Sequence, residues 1–577
     1  MRFQTIKRYL EHYPTGFIVK KLVSTHFSKQ NTPTKLPSNF EPVNLIYFSH
    51  FCKNGTSLKT AKRIVNSRIP VFGSSTSDKI NWNVDYVFGK VFGEAQCDVR
   101  IVWELNRFHF APVLAEAYNK TQDKSFLLAF KQFTIDWIEK NPVSSSPNWK
   151  SSMEVSIRLI NLCVAASIFY KSDKKDIIFW NKFFLALFVH ADFIVNHLEW
   201  SPKIRNNHYL TNILGLLFAG LLFEKTENGK KWLEFASSEI QKEMQYQVLG
   251  DGVDFEKSTW YHGFATEMFL VAYLLMKKRN LKIDKSFENQ LTKMFVFLKI
   301  ITRSDGSLLS IGDNDSGRLF KNYLANGFED VIELGNKCLK IPNSTLGLFT
   351  FAKSGFCIYR DAELLLSFFA GPTGTLETGG HTHNSSLAFT LDVNGKPIFI
   401  DPGAYIYTGN PKMRNLFRST AYHNTAQVDT REQNYFDENE LFKLFDKTKA
   451  EITFANKIGN AIVIAGRHYG YSDRQIVHER LIRINLDKRS IEIRDWFKGT
   501  GIHNLQWNFH CGNLNVKKAA NGFKVDNILL EKPRELAGNI EKKWYSLIFG
   551  EKKEGKAVVL KLERVLMPKM FSFNIRY

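Results

Sequence analysis

The spacing of hydrophobic positions changes once along the chain, from a helical period to an alternating one. Between about residue 100 and residue 340, apolar residues recur every three or four positions, as in EVSIRLINLCVAASIFY and HYLTNILGLLFAGLLF. This spacing predicts amphipathic helices. Short breakers such as Asn141-Pro142 and Gly250-Asp251-Gly252 separate the segments, which favours helices packed in pairs, either as a solenoid or closed into an α/α toroid.

After about residue 345 the period is two. The segment from Gln475 to Asn485 alternates strictly, Asp487-Lys488-Arg489 predicts a turn, and the segment from Ser490 to Phe497 alternates again. Further short strands are predicted at Ala388 to Val393, Pro397 to Ile400, Ala461 to Ala465 and Ala557 to Leu562. Strands that follow a series of helices predict a separate all-β domain. The predicted domains are a basic, helical lead-in at 1–95, a helical domain at 96–345 and an antiparallel β-sandwich at 346–577.

Length and charge narrow the function classes. A chain of 577 residues exceeds what one hydrophobic core usually organises, which excludes a peptide hormone, a small binding module and a disulfide-stapled scaffold. Lys and Arg number 78 against 57 Asp and Glu, giving a formal net charge of +21. Such a surplus attracts a polyanion, whether nucleic acid, an anionic membrane or an acidic polysaccharide. No nucleic-acid recognition motif or basic helix stands out, so nucleic acid is the least favoured partner.

The sequence predicts neither disulfides nor a transmembrane segment. Its six cysteines lie far apart, without zinc or redox spacing, and are expected to be free thiols. Apolar runs such as Ile213 to Phe223 are shorter than the roughly 20 residues of a membrane span and predict core helices. The basic segment 1–23 lacks the apolar stretch and cleavage site of a signal peptide. A cytoplasmic location is therefore expected, with the segment either a solvated helix or a peripheral membrane contact.

Residues capable of chemistry are densest at the start of the β half. His381 and His383 are two positions apart, so on a strand both side chains point to the same side. Zinc favours histidine nitrogen and carboxylate oxygen. His383, Asp401 and His423 would supply three such ligands from neighbouring strands.

The helical half carries a second set of candidates. Asn206, Asn207 and His208 stand just ahead of an apolar helix, where an amide side chain caps the first turn or projects into a cleft. Tyr261, in a polar loop before another helix, is an acid/base candidate or a packing residue with a bonded hydroxyl. The segment 311–317 (IGDNDSG) lacks the glutamate of a calcium loop and predicts a turn.

Taken in order, these pieces resemble the heparinase II/III-like polysaccharide lyases, a family that includes alginate lyases of the same architecture. The resemblance rests on the following segments: Trp103-Glu104-Leu105-Asn106-Arg107, Trp149 with Glu154 to Arg158, Asn206 to Tyr209, Tyr261-His262, Gly380 to Asp401, and Arg418-Ser419-Thr420 before His423-Asn424-Thr425. It implies an α+β multidomain fold, an incomplete α/α toroid followed by an antiparallel β-sandwich. It also implies β-eliminative cleavage of a polysaccharide that contains uronic acid.

The resemblance also implies roles for individual residues. Asn207 and His208 match positions that neutralise the uronate carboxylate, Tyr261 matches the acid/base tyrosine, and His381 matches a histidine that assists neutralisation or acts as base. His383, Asp401 and His423 match a structural zinc site. Arg418 is expected either to contact a substrate carboxylate or sulfate or to form a structural salt bridge, and Asn206 is a further candidate substrate contact. Relatives that degrade external glycans are usually exported, which makes the periplasm the alternative location.

Two other functions stay open on the sequence alone. The first is a uronan-binding protein of capsule or surface-polysaccharide assembly without catalytic activity. The second is a glycoside hydrolase, which needs two carboxylates facing each other across the bond; Asp251, Asp254 and Glu256 are the candidates. The sequence does not indicate the oligomeric state.

Overall fold

The computed structural model describes residues 98–202, 205–322 and 327–577, with shorter stretches before them (33–38, 40–42, 45, 48, 51, 58–72, 74–76 and 80–82). The described chain forms two compact units. The first holds the described residues up to Glu243, Met268–Asp284 and the segment that begins at Arg318. The second holds Met244–Glu267, Lys285–Gly317 and the described chain from Gly327 to Tyr577. The basic segment 1–23 and most of the 1–95 lead-in lie outside the described residues.

Helices dominate the chain before residue 340. Their bounds are α1 Leu58–Val65, α2 Val99–Asn106, α3 Phe110–Thr121, α4 Lys124–Lys140, α5 Ser152–Asp173, α6 Ile177–Asn196, α7 Asn207–Leu222, α8 Glu227–Gln247, α9 Thr259–Lys278, α10 Lys285–Ile301 and α11 Glu329–Cys338. After residue 340, a helix α12 spans Pro411–Phe417, and a short four-residue helical segment spans Gly374–Glu377. The change from helices to strands falls between Cys338 and Gly347, close to the position at which the hydrophobic period changes.

The first unit is built around α5 and α7, which are apolar on almost every face and buried along most of their length. Gly215 of α7 lies against Ser156 of α5, where a Cβ atom would approach the serine Cβ to 2.8 Å. Only a residue without a side chain fits such a close crossing. Helices that are hydrophobic all round belong in the centre of a helical domain, and α7 carries Asn207 and His208 at its N-terminus.

The expectation that the apolar runs are too short for a membrane span does not hold for two helices. The helices α5 and α6 are long and apolar enough to cross a membrane by length and composition. In the most apolar window of α5, however, 94% of the residues are buried inside the protein, and in α6 the share is 56%. Protein contacts thus cover nearly all of α5 and more than half of α6, as expected for core helices.

The second unit contains three antiparallel sheets. Their strands are β3 Gly347–Phe351, β4 Phe356–Arg360, β5 Leu364–Phe369, β6 Ala388–Val393, β7 Lys396–Phe399, β8 Ala426–Val428, β9 Glu451–Ile458, β10 Ala461–His468, β11 Ile476–Asn485, β12 Ser490–Gly499, β13 Ile502–Gly512, β14 Val516–Ala519, β15 Gly522–Val525, β16 Ile528–Glu531, β17 Ala537–Tyr545, β18 Lys553–Leu566 and β19 Lys569–Arg576; the short pair β1 Pro70–Val71 and β2 Ser74–Ser75 lies in the first unit. The orders are β3-β4-β5-β6-β7, β17-β18-β13-β8 and β14-β15-β16-β19-β12-β11-β10-β9. All six strands predicted from the alternating pattern are present.

One hydrophobic core joins the three sheets. Phe389 of β6 packs against Phe509 of β13 at 6.1 Å between ring centroids, and Phe509 packs against Phe573 of β19 at 5.7 Å. The inward-facing positions alternate along β11 and β12, as their sequences predict. The described cysteines, Cys163, Cys338, Cys357 and Cys511, are free thiols, as expected; Cys52 and Cys97 lie outside the described residues.

Candidate active site and metal centre

Tyr261 lies in the first turn of α9, inside the second unit. The helix start is tied to a neighbouring loop, because the Thr259 amide donates to the Ile311 carbonyl at 3.0 Å. The Tyr261 ring stacks on the His381 ring, with centroids 3.8 Å apart and planes 15° from parallel. Its hydroxyl is buried and lies 3.2 Å from the hydroxyl of Tyr407. The structure therefore joins two of the predicted catalytic side chains and adds a second phenol.

Asp313 holds this group together. Its carboxylate accepts hydrogen bonds from His381 Nδ1 at 2.9 Å and from His383 Nε2 at 2.8 Å. Arg414 donates to both carboxylate oxygens, one of them at 2.8 Å. Burial acts to raise the pKa of Asp313, but Arg414 and the two histidines outweigh it and hold the pKa well below its usual value. The carboxylate therefore stays charged and fixes both imidazole rings.

A glycine allows Asp313 to reach the histidines. Gly312 has φ +73°, a left-handed conformation that favours glycine, and a Cβ atom there would lie 2.7 Å from the His381 carbonyl oxygen. The Asp313 amide donates to that same carbonyl at 2.9 Å. The segment 311–317 bends at Gly312, and this bend places a carboxylate beside a distant histidine pair.

Tyr407 completes the surroundings of Tyr261. The Arg414 guanidinium lies 4.9 Å from the centroid of the Tyr407 ring, and the Phe549 ring packs edge-on against the same ring with centroids 4.9 Å apart. Burial, followed by the charges of Asp315 and Asp313, raises the pKa of Tyr261 well above its ordinary value. The resting phenol is therefore protonated at neutral pH.

The acidic residues proposed for a hydrolase are held inside the fold. Asp251 accepts from the Ser354 amide at 2.8 Å and caps that turn. Asp254 and Glu256 are both buried, and burial with the charge of Glu256 raises the pKa of Asp254 well above normal. Glu256 lies 3.4 Å from His381 Nε2. The loop thus places the Glu256 carboxylate beside His381. It does not present two carboxylates to a cleft, as a hydrolase would require.

His383, Asp401 and His423 come together as predicted. One ligand atom from each lies within 4.8 Å of the others, and all three residues are buried. His383 Nδ1 and His423 Nε2 are buried nitrogens without a hydrogen-bond partner among the described residues. Asp401 accepts from His423 Nδ1 at 2.9 Å, and Asp313 fixes the other nitrogen of His383. Two unpartnered imidazole nitrogens beside a carboxylate, with a second carboxylate behind, fit a zinc-type donor set.

The asparagine–histidine cluster lies in the first unit. Asn206 is the N-cap of α7, because its side chain accepts from the His208 amide at 3.2 Å; that contact satisfies a capping role. Asn207 is buried, whereas the His208 side chain is 36% exposed. The Glu199 carboxylate accepts from His208 Nδ1 at 3.1 Å. Burial acts to raise the pKa of Glu199, but His208 and other donors lower it below its usual value, so Glu199 orients the imidazole.

Arg418 does not fit the expected substrate contact or salt bridge. It is 1% exposed, and its guanidinium stacks over the Phe436 ring at 4.2 Å. All five N–H donors have protein acceptors, namely the Asn415 side chain and the carbonyls of Leu441, Lys443, Asp437 and Glu440. Because all five donors are used and no carboxylate among the described residues accepts from it, Arg418 stabilises the 437–443 loop.

Sequence reasoning missed the roles of Asp313, Tyr407 and Arg414, and it considered Glu256 only as a hydrolase carboxylate. Asp313 was visible only as part of a turn, although a buried pair of histidines needs a carboxylate partner. Tyr407 and Arg414 stand in the segment between two candidate metal ligands, Asp401 and His423, and their roles depend on side-chain directions that a sequence does not contain.

Comparisons with known proteins agree with this arrangement. The family model described as the heparinase II/III N-terminus matches residues 56–334, and the one described as heparinase II/III-like, C-terminal, matches residues 343–573. A heparin-sulfate lyase from Pedobacter heparinus is 26% identical over 358 residues, 58% of this chain and 52% of that protein. One from Bacteroides thetaiotaomicron is 24% identical over 365 residues, 56% of this chain and 51% of that protein. The chain matches about half the length of these curated relatives.

Solved structures show the same fold. A crystal structure of heparinase III superposes with a TM-score of 0.73 and 17% identity, covering 99% of this chain and 90% of that one. A heparan sulfate lyase from Pedobacter heparinus gives a TM-score of 0.61 and 20% identity, covering 91% and 84%. This likeness confirms the predicted fold class, a helical toroid followed by an antiparallel β-sandwich.

Proposed function

We propose that this chain, which belongs to the heparinase II/III family, is a polysaccharide lyase that cleaves an acidic, uronate-containing polysaccharide by β-elimination. The observation that carries the proposal is the buried group in which the Tyr261 hydroxyl meets Tyr407 while its ring stacks on His381. Asp313 fixes that histidine. A phenol and an imidazole held in contact are suited to move protons at adjacent atoms of one sugar.

The reaction breaks two bonds and forms a double bond. The proton at C5 of the uronate leaves to a base, the C4–O bond breaks, a C4=C5 double bond forms, and the departing oxygen gains a proton. The C5 proton is barely acidic while the neighbouring carboxylate is charged. Donors that neutralise the carboxylate stabilise the developing enolate, each by about 3 to 4 kcal/mol. The sequence resemblance assigns this task to Asn207 and His208.

Tyr261 is proposed as the acid that protonates the departing oxygen. Its raised pKa supports the acid part of an acid/base role, because the phenol keeps its proton at neutral pH. Tyr407, which shares a hydrogen bond with it, is proposed to position the hydroxyl. His381 is proposed to assist with the uronate carboxylate or to accept the C5 proton, depending on the epimer. A positioned acid or base is typically worth about 10²–10⁴ in rate.

His383, Asp401 and His423 are proposed to hold a structural zinc ion. When bound, the ion would supply a positive charge and a fixed geometry to the segments that carry its three ligands. Asp313 accepts hydrogen bonds from both His383 and His381. The same carboxylate therefore orients a proposed metal ligand and the proposed catalytic histidine. The metal site is thereby proposed to keep His381 in place.

The substrate class is proposed from the charge and from the relatives. Named relatives are heparin-sulfate lyases, and a net charge of +21 suits an anionic polymer. Heparan sulfate is therefore the first substrate to test, followed by chondroitin, hyaluronan, alginate and bacterial capsules. The location of the protein, cytoplasmic from the sequence and periplasmic from the family, remains a proposal to be tested by cell fractionation.

The decisive experiment follows the ultraviolet absorbance of the unsaturated product during incubation with this panel. A rising signal supports the lyase. Binding without any product would indicate a uronan-binding protein, and new reducing ends without an ultraviolet signal would indicate a hydrolase. Either of those outcomes across the whole panel would overturn the proposal.

A further inference from the structure

A group of aromatic rings and lysines lies at the end of β17, the outer strand of the four-stranded sheet. Trp544 is the next-to-last residue of this strand, and its ring is partly exposed. Its amide donates to the Tyr422 hydroxyl at 3.4 Å. We call the group formed by Tyr405, Trp544 and Lys552 the aromatic–lysine patch.

Lys552 lies over two rings of the patch. Its ammonium is 4.6 Å from the centroid of the Trp544 ring and 5.1 Å from that of Tyr405. The side chain is exposed, and no carboxylate pairs with it in the part of the chain that the structure describes. An ammonium held by ring faces keeps its full charge available to an anion from solution.

Lys543, the residue before Trp544 on β17, points to the opposite face of the strand and is not part of the patch. Its side chain is 13% exposed, and its ammonium lies 5.1 Å from the centroid of the Tyr422 ring. Burial lowers the pKa of Lys543, and the nearest carboxylate, on Glu541, is 3.9 Å away. The Lys543 ammonium also donates to the Ala421 carbonyl at 3.3 Å, so Lys543 is bonded within the protein.

The patch is joined by backbone to the candidate active site. The Gly550 amide donates to the Tyr405 carbonyl at 2.8 Å, and the Ser546 amide donates to the Pro402 carbonyl at 2.8 Å. Between them, the Phe549 ring packs on Tyr407, whose hydroxyl contacts Tyr261. One segment, 544–552, therefore carries Trp544 and Lys552 of the patch and, through Phe549, contacts the tyrosine pair.

A second tryptophan–lysine pair in the same unit provides a contrast. Lys498 lies 4.4 Å from the centroid of the Trp496 ring, which is 45% exposed. There, however, the Glu479 carboxylate accepts from the lysine ammonium at 2.9 Å. That pair is neutralised within the protein, whereas Lys552 is not.

We propose that the aromatic–lysine patch is a subsite for an anionic sugar residue of the polymer, outside the residues that react. The Trp544 and Tyr405 rings would contact the apolar face of the sugar, and Lys552 would pair with its carboxylate or sulfate. The inference rests on the proposed function for the identity of the polymer. It predicts that the subsite contributes to the binding of long chains and not to the chemical step.

The test measures binding separately from turnover. Fluorescently end-labelled heparan sulfate chains of long and short length are titrated by anisotropy against the full chain carrying Tyr261→Phe. Lys552→Gln and Trp544→Ala are then added singly, and Lys498→Gln and Trp496→Ala serve as matched controls. Trp544→Phe keeps an aromatic ring at this position. If it retains binding that Trp544→Ala loses, the loss comes from the missing ring and not from misfolding. Unsulfated alginate is titrated in parallel.

The subsite predicts that Lys552→Gln and Trp544→Ala each weaken binding of the long chain about three- to tenfold, with little change for the shortest chain. The Lys498 and Trp496 controls should stay within twofold. Equal losses in both pairs, or no loss at Lys552 and Trp544, would overturn the proposal. Binding of neither heparan sulfate nor alginate would contradict the subsite, while binding without turnover in the unmutated chain would contradict only the lyase.

Discussion

Replacing Asp313 by Asn should separate the organising role of this carboxylate from its contribution to stability. Asp313 receives two hydrogen bonds from Arg414 and one from each of His381 and His383. Removing one partner of a buried ion pair costs about 3–5 kcal/mol, because the remaining charge is uncompensated. Against a typical stability of about 5–15 kcal/mol, the variant should fold, but with a much lower urea midpoint.

The chain offers a matched control at Asp495. This buried carboxylate also receives four hydrogen bonds, two from Arg480, one from His478 and one from Trp507, at 2.7 to 2.9 Å. Asp495→Asn should therefore lose a similar amount of stability. Only Asp313→Asn should also lower zinc affinity, by about 10- to 100-fold, and turnover, by about a hundredfold or more through a misplaced His381.

The assay combines urea unfolding, zinc content after dialysis against a competing chelator, and ultraviolet product formation. If Asp313→Asn and Asp495→Asn lose stability equally while both keep wild-type zinc content and turnover, Asp313 is only a structural ion-pair partner. In that case Asp313 does not fix the positions of His381 and His383.

Three further predictions concern the metal, the acid response and the second tyrosine. Chelation should lower the melting temperature of the chain and zinc should restore it, whereas His423→Ala should melt at the chelated value and ignore added zinc; an unchanged melting temperature would contradict a structural metal. Burial lowers the pKa of His468 and His478 in the folded state, so the unfolded state binds more protons in acid and stability should fall as the pH drops below about 6.5. Replacing His468 by Gln should flatten that dependence of the urea midpoint on pH, and an unchanged slope would refute the assignment. Tyr407→Phe should lower kcat about tenfold or more by releasing the Tyr261 hydroxyl while leaving polymer binding unchanged; full turnover would show that Tyr407 only packs.

Much of the fold followed from local pattern. The strict alternation of the β11–β12 hairpin survives because one face of that sheet packs on the core and the other is solvated. Strand ends differ from the predictions by only a few residues, since capping and pairing depend on neighbours. The division into two units, in which α8 and α9 each begin in one unit and end in the other, depends on tertiary contacts that no local period encodes.

The candidate site was predictable where the chemistry is concentrated in short motifs. His383, Asp401 and His423 were found because metal ligands are a restricted set of residue types, and the structure brings them together. Asp313 was not found, because it lies 68 residues before His381 along the chain and approaches it only through a glycine turn. Arg418 was misjudged because its five acceptors are mostly backbone carbonyls, which every sequence contains.

Whether the chain is a lyase that uses Tyr261 is tested by comparing it with its Tyr261→Phe variant on heparan sulfate and the other uronate polymers. The readout is the ultraviolet absorbance of the unsaturated product. We expect product with the unmodified chain and a loss of turnover of about 10²-fold or more in the variant, with the urea midpoint and polymer binding retained. A variant that forms product at the unmodified rate would contradict the role of Tyr261, and no unsaturated product from any polymer would contradict the lyase itself.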